Sequence, residues 1–257
     1  MVLHRMLLQK IMRSNATVSK RVAPLKTPNS PSASRLHPMK SLFLFTALFL
    51  SASPLFVQAE DVVILVLEKK GALLPPIVIE LFEKDAPKHS ANFKKLAASK
   101  YYKNTTIHRI LPESLVQMGD PISRNKNAAD VGTGGPGYTI APEIKRKHTE
   151  AAVGMGRLPD KINPGRLSNG SQFYIALRPL PELDGTQTVF GKVTQGMEAL
   201  KELGKSTTDT NDAPVDKIVL RSAKVVAKES LASELQNSKP SKPSWWSRLS
   251  GSLARIF

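Results

Sequence analysis

Few residues in this chain are of a type and placement that could do chemistry, and Arg109 leads them. It stands in the apolar run 106–111 (TIHRIL), where strand alternation puts Ile107, Arg109 and Leu111 on one face. A guanidinium stays protonated and presents a rigid fork of N–H donors, so there it stabilises electrostatically and does not act as a general acid. The same alternation turns His108 to the other face, which makes it structural. His89 and His148 lack the paired spacing of a metal site, so no metal is expected. Ser171 has no nucleophile-elbow context and reads as structural too. Gly132-x-Gly134-x-x-Gly137 matches the dinucleotide fingerprint by letter, but Pro136 and the following Tyr138-Thr139-Ile140 do not open a helix. A loop whose glycines permit positive φ is the simpler reading. Cysteine is absent, which excludes disulfides, thiolate ligands and a cysteine nucleophile.

The elements that must position Arg109 read as strands for the most part. A β-branched run at 61–67 and a second apolar run at 77–82, separated by a Lys-Lys-Gly turn, read as paired strands. Asp85 as N-cap, Pro87 in the first turn, and Ala91, Phe93, Leu96 and Ala97 near helical spacing predict a helix through 90–98. A second helix is expected over 197–203, with Gly204 as its C-cap. Between them short strands are expected at 106–111, 115–118, 152–155, 172–176 and 188–193, and a last one at 217–226. Many short strands with few helices suggest a closed antiparallel barrel.

The formal charge of +16 invites a nucleic-acid reading, but eight of the 37 Lys and Arg and none of the 21 acids fall in residues 1–59. The remaining excess is interspersed with acids and forms no basic stripe with aromatics, so no nucleic-acid partner is expected. Residues 39–59 have the charged start, apolar core (SLFLFTALFLSA) and small-residue end (VQA) of a cleavable signal peptide, with cleavage after Ala59. The basic, acid-free residues 1–38 read as a misassigned start or an organellar transit peptide. Export to a periplasm is expected, with an organellar lumen as the alternative. The expected domain is 60–227, followed by a flexible linker at 228–244 and an amphipathic tail helix at 245–257 (WWSRLSGSLARIF) suited to a membrane surface.

Residues 107–120 (IHRILPESLVQMGD) resemble the signature of the cyclophilin-type peptidyl-prolyl cis-trans isomerases. Three further blocks follow in that family's order: 132–137 (GTGGPG), 168–175 (SNGSQFYI) and 183–193 (LDGTQTVFGKV). The resemblance covers about residues 61–227. It implies a mainly β fold, a closed eight-stranded antiparallel barrel with two capping α-helices, acting without a cofactor as a monomer on Xaa-Pro bonds of proline-containing polypeptides.

By the same resemblance Arg109 and Gln117 are catalytic. Leu115, Gly156, Arg157, Gln172, Tyr174, Leu183, Gln187 and Phe190 bind substrate. Leu115, Tyr174 and Leu183 would wall a proline pocket with Phe190 at its base, Gln117 and Gln172 would hydrogen-bond the substrate backbone, and Phe173 would belong to the core. The chain departs from the family at Ser114, where a pocket Phe is usual, and at Gln187, where His or Tyr is common. Glu182 replaces the Trp that donates to cyclosporin in drug-sensitive members, so weak or absent inhibition is expected. The segment 157–167 (RLPDKINPGRL) is longer than the family's short form. A binding module that captures proline segments without turnover is the rival reading.

Overall fold

The computed structural model describes residues 60–125 and 129–237; the expected leader, signal peptide and tail helix lie outside these. In chain order the strands are β1 (Asp61–Lys69), β2 (Ala72–Leu73), β3 (Ile77–Leu81), β4 (Thr105–Thr106), β5 (Arg109–Leu111), β6 (Leu115–Met118), β7 (Ala152–Met155), β8 (Phe173–Ala176), β9 (Val189–Gln195) and β10 (Ile218–Ala227). Helix α1 (Pro87–Ala98) follows β3, α2 (Met197–Gly204) follows β9, and α3 (Leu231–Asn237) follows β10.

One antiparallel sheet runs in the order β4-β10-β1-β3-β9-β7-β8-β6-β5, with β2 added to β1. Its two ends are halves of one extended segment. Thr105, Thr106 and Ile107 bond to β10, then His108 N–H donates to the Gln117 carbonyl and Arg109 pairs with Gln117 on β6. The segment 105–111 therefore closes the sheet into a barrel of eight staves, and closure removes the open edge that an unpaired strand would leave. The strand expected over 106–111 is interrupted because its hydrogen bonds change partner between Ile107 and His108.

Inward-facing residues of alternating period fill the barrel: Val63, Leu65 and Leu67 from β1, Ile77 and Ile79 from β3, Ile110, Val116 and Met118 beside the site. Helix α1 plugs one opening with Phe93, whose ring lies 5.3 Å from Tyr102, 5.0 Å from Phe173 and 5.1 Å from Phe190, aromatic contacts at favourable separations. The buried face of α1 is His89, Ser90, Phe93, Leu96 and Ala97, while Ala91 is exposed. Ala86 stands at the N-cap with no side-chain hydrogen bond, and Asp85 instead pairs with Arg146. In α2 the glycines exchange roles: Gly196 takes the N-cap at φ 93°, and Gly204 is the last helical residue. A β-carbon on Gly204 would stand 2.3 Å from Leu177 Cδ1, so Leu177 packs into the space that the missing side chain leaves.

The described part of the expected linker, 228–237, is helical, and the rest lies outside the described residues. Leu231 and Leu235, one turn apart on α3, cover Val62, Ile64, Val78 and Val226 on the outer wall, and Lys224 pairs with Glu234 at 2.6 Å. This cover explains why β1 is apolar almost throughout, since both faces of the strand are buried.

Candidate active site

Directly opposite residues of an antiparallel ladder project from the same face. The registers Arg109↔Gln117, Gln117↔Tyr174 and Tyr174↔Gly154 therefore make one row across β5, β6, β8 and β7. Because Ile110, Val116, Phe173 and Ile175 point inward, the row lies on the outer wall. A parallel row, Leu111↔Leu115↔Ala176, runs beside it. Leu115, Ala152, Tyr174, Ala176, Leu180 and Val189 form a small apolar cluster there, with Leu183 half-buried against it. A charged end and an apolar end are thus set side by side. Two surface hollows, one lined by Glu80, Phe82 and Lys192 and the other by Phe82, Arg146 and Lys192, contain none of the row's residues.

Arg109 is less than half exposed, and its Nε lies 3.3 Å from Asp212 Oδ2, also near the surface. Asp212 reaches it from the loop before β10, whose backbone is pinned where the Asp212 carbonyl accepts from Ile110 N–H at 2.8 Å. Asp212 has φ 62°, a left-handed conformation that Asp and Asn tolerate better than other side chains. No sequence signal joins 109 to 212; the partnership exists only in the closed barrel.

Gln172 is almost fully buried, and its Nε2 donates to both Gly132 and Gly134 carbonyls at 2.8 Å. With both amide hydrogens used, its Oε1 must accept, and it takes a hydrogen bond from Gln117 Nε2 at 3.0 Å. Both ends of the Gln172 amide are thus taken up within the protein, where it fastens the 132–137 loop and orients Gln117. The carbonyl end of half-exposed Gln117 is thereby turned away from Gln172. Asn169, through Nδ2 to the Gly134 carbonyl at 2.9 Å, and buried Asp120, which accepts from Ile122 and Gly132 N–H, hold the same loop. So the glycine run is a loop fastened by side chains.

Three other expected substrate contacts are placed differently. The Arg157 guanidinium, whose side chain is only 8% exposed, is occupied by the Thr186 and Leu158 carbonyls and by Asp160 at 2.6 Å. Phe190 is fully buried among the barrel aromatics, because the alternation of β9 that sends Val189 to the outer cluster sends Phe190 inward. Gly156 has both backbone groups engaged, with Gln172 and Asn169, and lies beside Gln117: a β-carbon there would stand 3.2 Å from the Gln172 carbonyl oxygen and 3.6 Å from Gln117 Nε2. Gln187 is half-buried on the turn that carries Leu183.

Tyr174 is held by a chain that the sequence did not disclose. Asp184 Oδ1 accepts from His148 N–H at 2.7 Å and Nδ1–H at 2.9 Å, leaving His148 Nε2 to accept from the Tyr174 hydroxyl at 2.8 Å. Burial pushes the Tyr174 hydroxyl far above the ordinary phenol range, and the hydrogen bonds from His148 hold the Asp184 carboxyl below its usual range. A second chain, Glu143···His89···Ser168, has hydrolase-like geometry at 2.7 and 2.9 Å. Ser168 and His89 are both buried, so it ties α1 to the loop before Asn169 and offers no nucleophile to solvent. His108 is buried with neither ring nitrogen hydrogen-bonded, and desolvation lowers its pKa, as it does that of His89.

Residues 65–225 match the family described as cyclophilin type peptidyl-prolyl cis-trans isomerase/CLD. Peptidyl-prolyl cis-trans isomerase-like 1 of Aspergillus fumigatus is 39% identical over 150 residues, 58% of this chain and 88% of that protein. Peptidyl-prolyl cis-trans isomerase CYP18-2 of Arabidopsis thaliana is 36% identical over 153 residues, 59% and 88% of the two chains. A cyclophilin-type isomerase of Cryptosporidium parvum superposes with a TM-score of 0.57 at 29% identity, covering 66% of this chain and 99% of that one. The same protein, crystallised in the presence of the dipeptide Ala-Pro, superposes with a TM-score of 0.55.

Proposed function

The chain belongs to the cyclophilin-type peptidyl-prolyl cis-trans isomerase family, and from its activity as an isomerase of Xaa-Pro bonds we propose how its own residues perform the turn. The prolyl amide resists rotation by about 20 kcal/mol because its C–N bond has partial double-bond character. At the perpendicular geometry resonance is lost and the proline nitrogen gains a basic lone pair. Arg109 donates to that nitrogen. The apolar cluster of Leu115, Tyr174 and Leu183 holds the pyrrolidine ring, and Gln117, its orientation set by Gln172, hydrogen-bonds the substrate backbone. An acceleration of about 10⁴ to 10⁵ requires roughly 5 to 7 kcal/mol, within the reach of one preorganised cationic donor and a backbone clamp. No bond is made or broken, and no proton is transferred.

The observation that carries this reading is the single row Arg109–Gln117–Tyr174 beside an apolar cluster on the barrel's outer wall. The test is exchange of a cis-enriched Xaa-Pro tetrapeptide measured by NMR. Arg109→Ala should lower kcat/KM by about 10² to 10³, the usual cost of one transition-state donor, with the fold unchanged. Equal rates in wild type and variant would remove Arg109 from the mechanism. Binding without acceleration in either would leave only a proline-binding module, the reading that Ser114, set in place of a pocket ring, favours.

The protein acts on clients beyond a membrane, in a periplasm or an organellar lumen. The tripartite segment 39–59 supports export. Edman sequencing of the mature protein should begin at Glu60; a mature chain that retains 39–59 contradicts it. The tail 245–257 contacts anionic lipid, and co-sedimentation with phosphatidylglycerol vesicles checks this.

A further inference from the structure

Five large apolar side chains stand exposed among the described residues, and three of them occupy the loop 157–167: Leu158 at 58%, Ile162 at 68% and Leu167 at 40%. This loop is not loose. Its ends are joined where Asn169 N–H donates to the Gly156 carbonyl at 2.8 Å. Asn163 binds Leu167 through both its amide oxygen and nitrogen, at 3.1 and 2.7 Å. Arg157 and Arg166 converge on Asp160 at 2.6 and 3.1 Å and reach the Thr186 and Gly185 carbonyls at 2.8 and 2.7 Å. Pro159 and Pro164 restrict the backbone further.

The side chains of Arg157, Asp160, Asn163 and Arg166 are thus spent on holding the loop's shape, while Leu158, Ile162 and Leu167 are left facing water. A surface loop normally has the reverse arrangement, and a preorganised apolar projection marks a contact surface. The loop is continuous with the isomerase site at both ends: it leaves from Gly156, beside Gln117, and is braced on the turn that carries Leu183 and Gln187. An extended polypeptide advances about 3.3 Å per residue, so side chains two to four positions from the seated proline reach about 7 to 13 Å beyond it.

We propose that the 157–167 loop is a docking surface for apolar side chains of the client polypeptide flanking the isomerised bond. The loop then selects clients by sequence outside the Xaa-Pro pair. Unfolded chains display such apolar residues, and because the loop is already ordered, docking costs little conformational entropy. The inference rests on the isomerase reading.

The experiment compares three cis-enriched substrates: an Xaa-Pro tetrapeptide, a dodecapeptide with Leu at the flanking positions, and the same dodecapeptide with Ser there. Burying one or two aliphatic side chains should raise wild-type kcat/KM for the Leu dodecapeptide about tenfold over the Ser one. The double variant Leu158→Ser/Ile162→Ser should lose that preference and keep the tetrapeptide rate. No preference in wild type, or preference retained in the variant, overturns the proposal. A failure of the isomerase reading would show separately, as no acceleration of the tetrapeptide. A photoreactive p-benzoylphenylalanine at position 162 should cross-link to the Leu dodecapeptide. Cross-linking instead to residues 245–257 of the same chain, or to a second copy, would assign the surface to that occupant and overturn the client assignment.

Discussion

Arg109 carries the chemistry, and its carboxylate partner decides how freely it does so. Pairs this exposed are worth about 0 to 1 kcal/mol, so a substrate can draw the guanidinium from Asp212 at small cost. Asp212→Asn keeps a residue that tolerates the left-handed backbone and removes only the charge. It should change kcat/KM by no more than about fivefold, with an unchanged melting temperature, because the pair is worth at most about 1 kcal/mol. A loss as large as that of Arg109→Ala would mean that the carboxylate itself takes part in the turn. Glu182 allows a second test at this scale. Its carboxylate is exposed, pairs with Arg178 at 3.1 Å and can only accept, so it cannot replace an indole donor. Calorimetric titration should show weak or absent cyclosporin binding, strengthened by Glu182→Trp; a low-nanomolar dissociation constant for the unaltered protein would contradict this. The residue types at 109, 115, 117, 174 and 183 were legible because motif order places them. That Gln172 and Arg157 are committed to internal carbonyls was not legible, since the Gly132, Gly134 and Thr186 carbonyls that accept from them come from segments tens of residues away.

Strand β8 holds Tyr174 across β7 at Gly154, and the two elements fit only because that position lacks a side chain. A β-carbon on Gly154 would stand 2.3 Å from the Tyr174 ring. Gly154→Ala must displace the ring from the apolar cluster, so it should cost about 1 to 3 kcal/mol by overpacking and raise KM more than it lowers kcat. Urea unfolding with peptide kinetics checks both; unchanged KM would show that Tyr174 does not wall the proline site. The existence of most strands and of both capping helices was legible from apolar period and from proline and glycine placement. Their ends were less so: Asp85 is drawn to Arg146, Gly204 answers to Leu177, and α3 forms because an apolar patch on the outer wall needs cover. Each is a tertiary demand acting on a locally ambiguous stretch.

At the scale of the whole molecule, pH acts on the fold and not on the reaction. His89 and His108 are buried, and desolvation lowers both pKa values below the unfolded value of about 6.5. The unfolded chain then binds more protons in the window below 6.5, so stability is complete above that pH and falls as pH drops towards the folded-state values. The slope is at most about 1.4 kcal/mol per pH unit for each histidine. Lowered Glu143, whose hydrogen bonds from His89 and from the Lys88 and His89 amides outweigh its burial, adds a further loss at more acid pH. The melting temperature should therefore fall between pH 7 and pH 5, while kcat/KM of the folded protein should stay flat from pH 6.5 to 9, because the proposed donor is a guanidinium and the turn transfers no proton. His108→Leu removes a buried ring with no hydrogen bond and should flatten the stability profile; an unaltered profile would exclude His108 from it. The linear chain by itself determined the family, the predominance of strands, the run of apolar residues that fills the barrel and the identity of the one permanent charge in the motif block, because these depend on residue type, spacing and order. Only the closed barrel decided which side chains meet: that 109 lies beside 117 and 212, that 172 is buried beneath them, that 190 points inward and that 157–167 stands as a braced apolar projection. Those facts depend on register and on hydrogen bonds between distant segments, and a chain acquires them only when its two sheet ends join through residues 105–111.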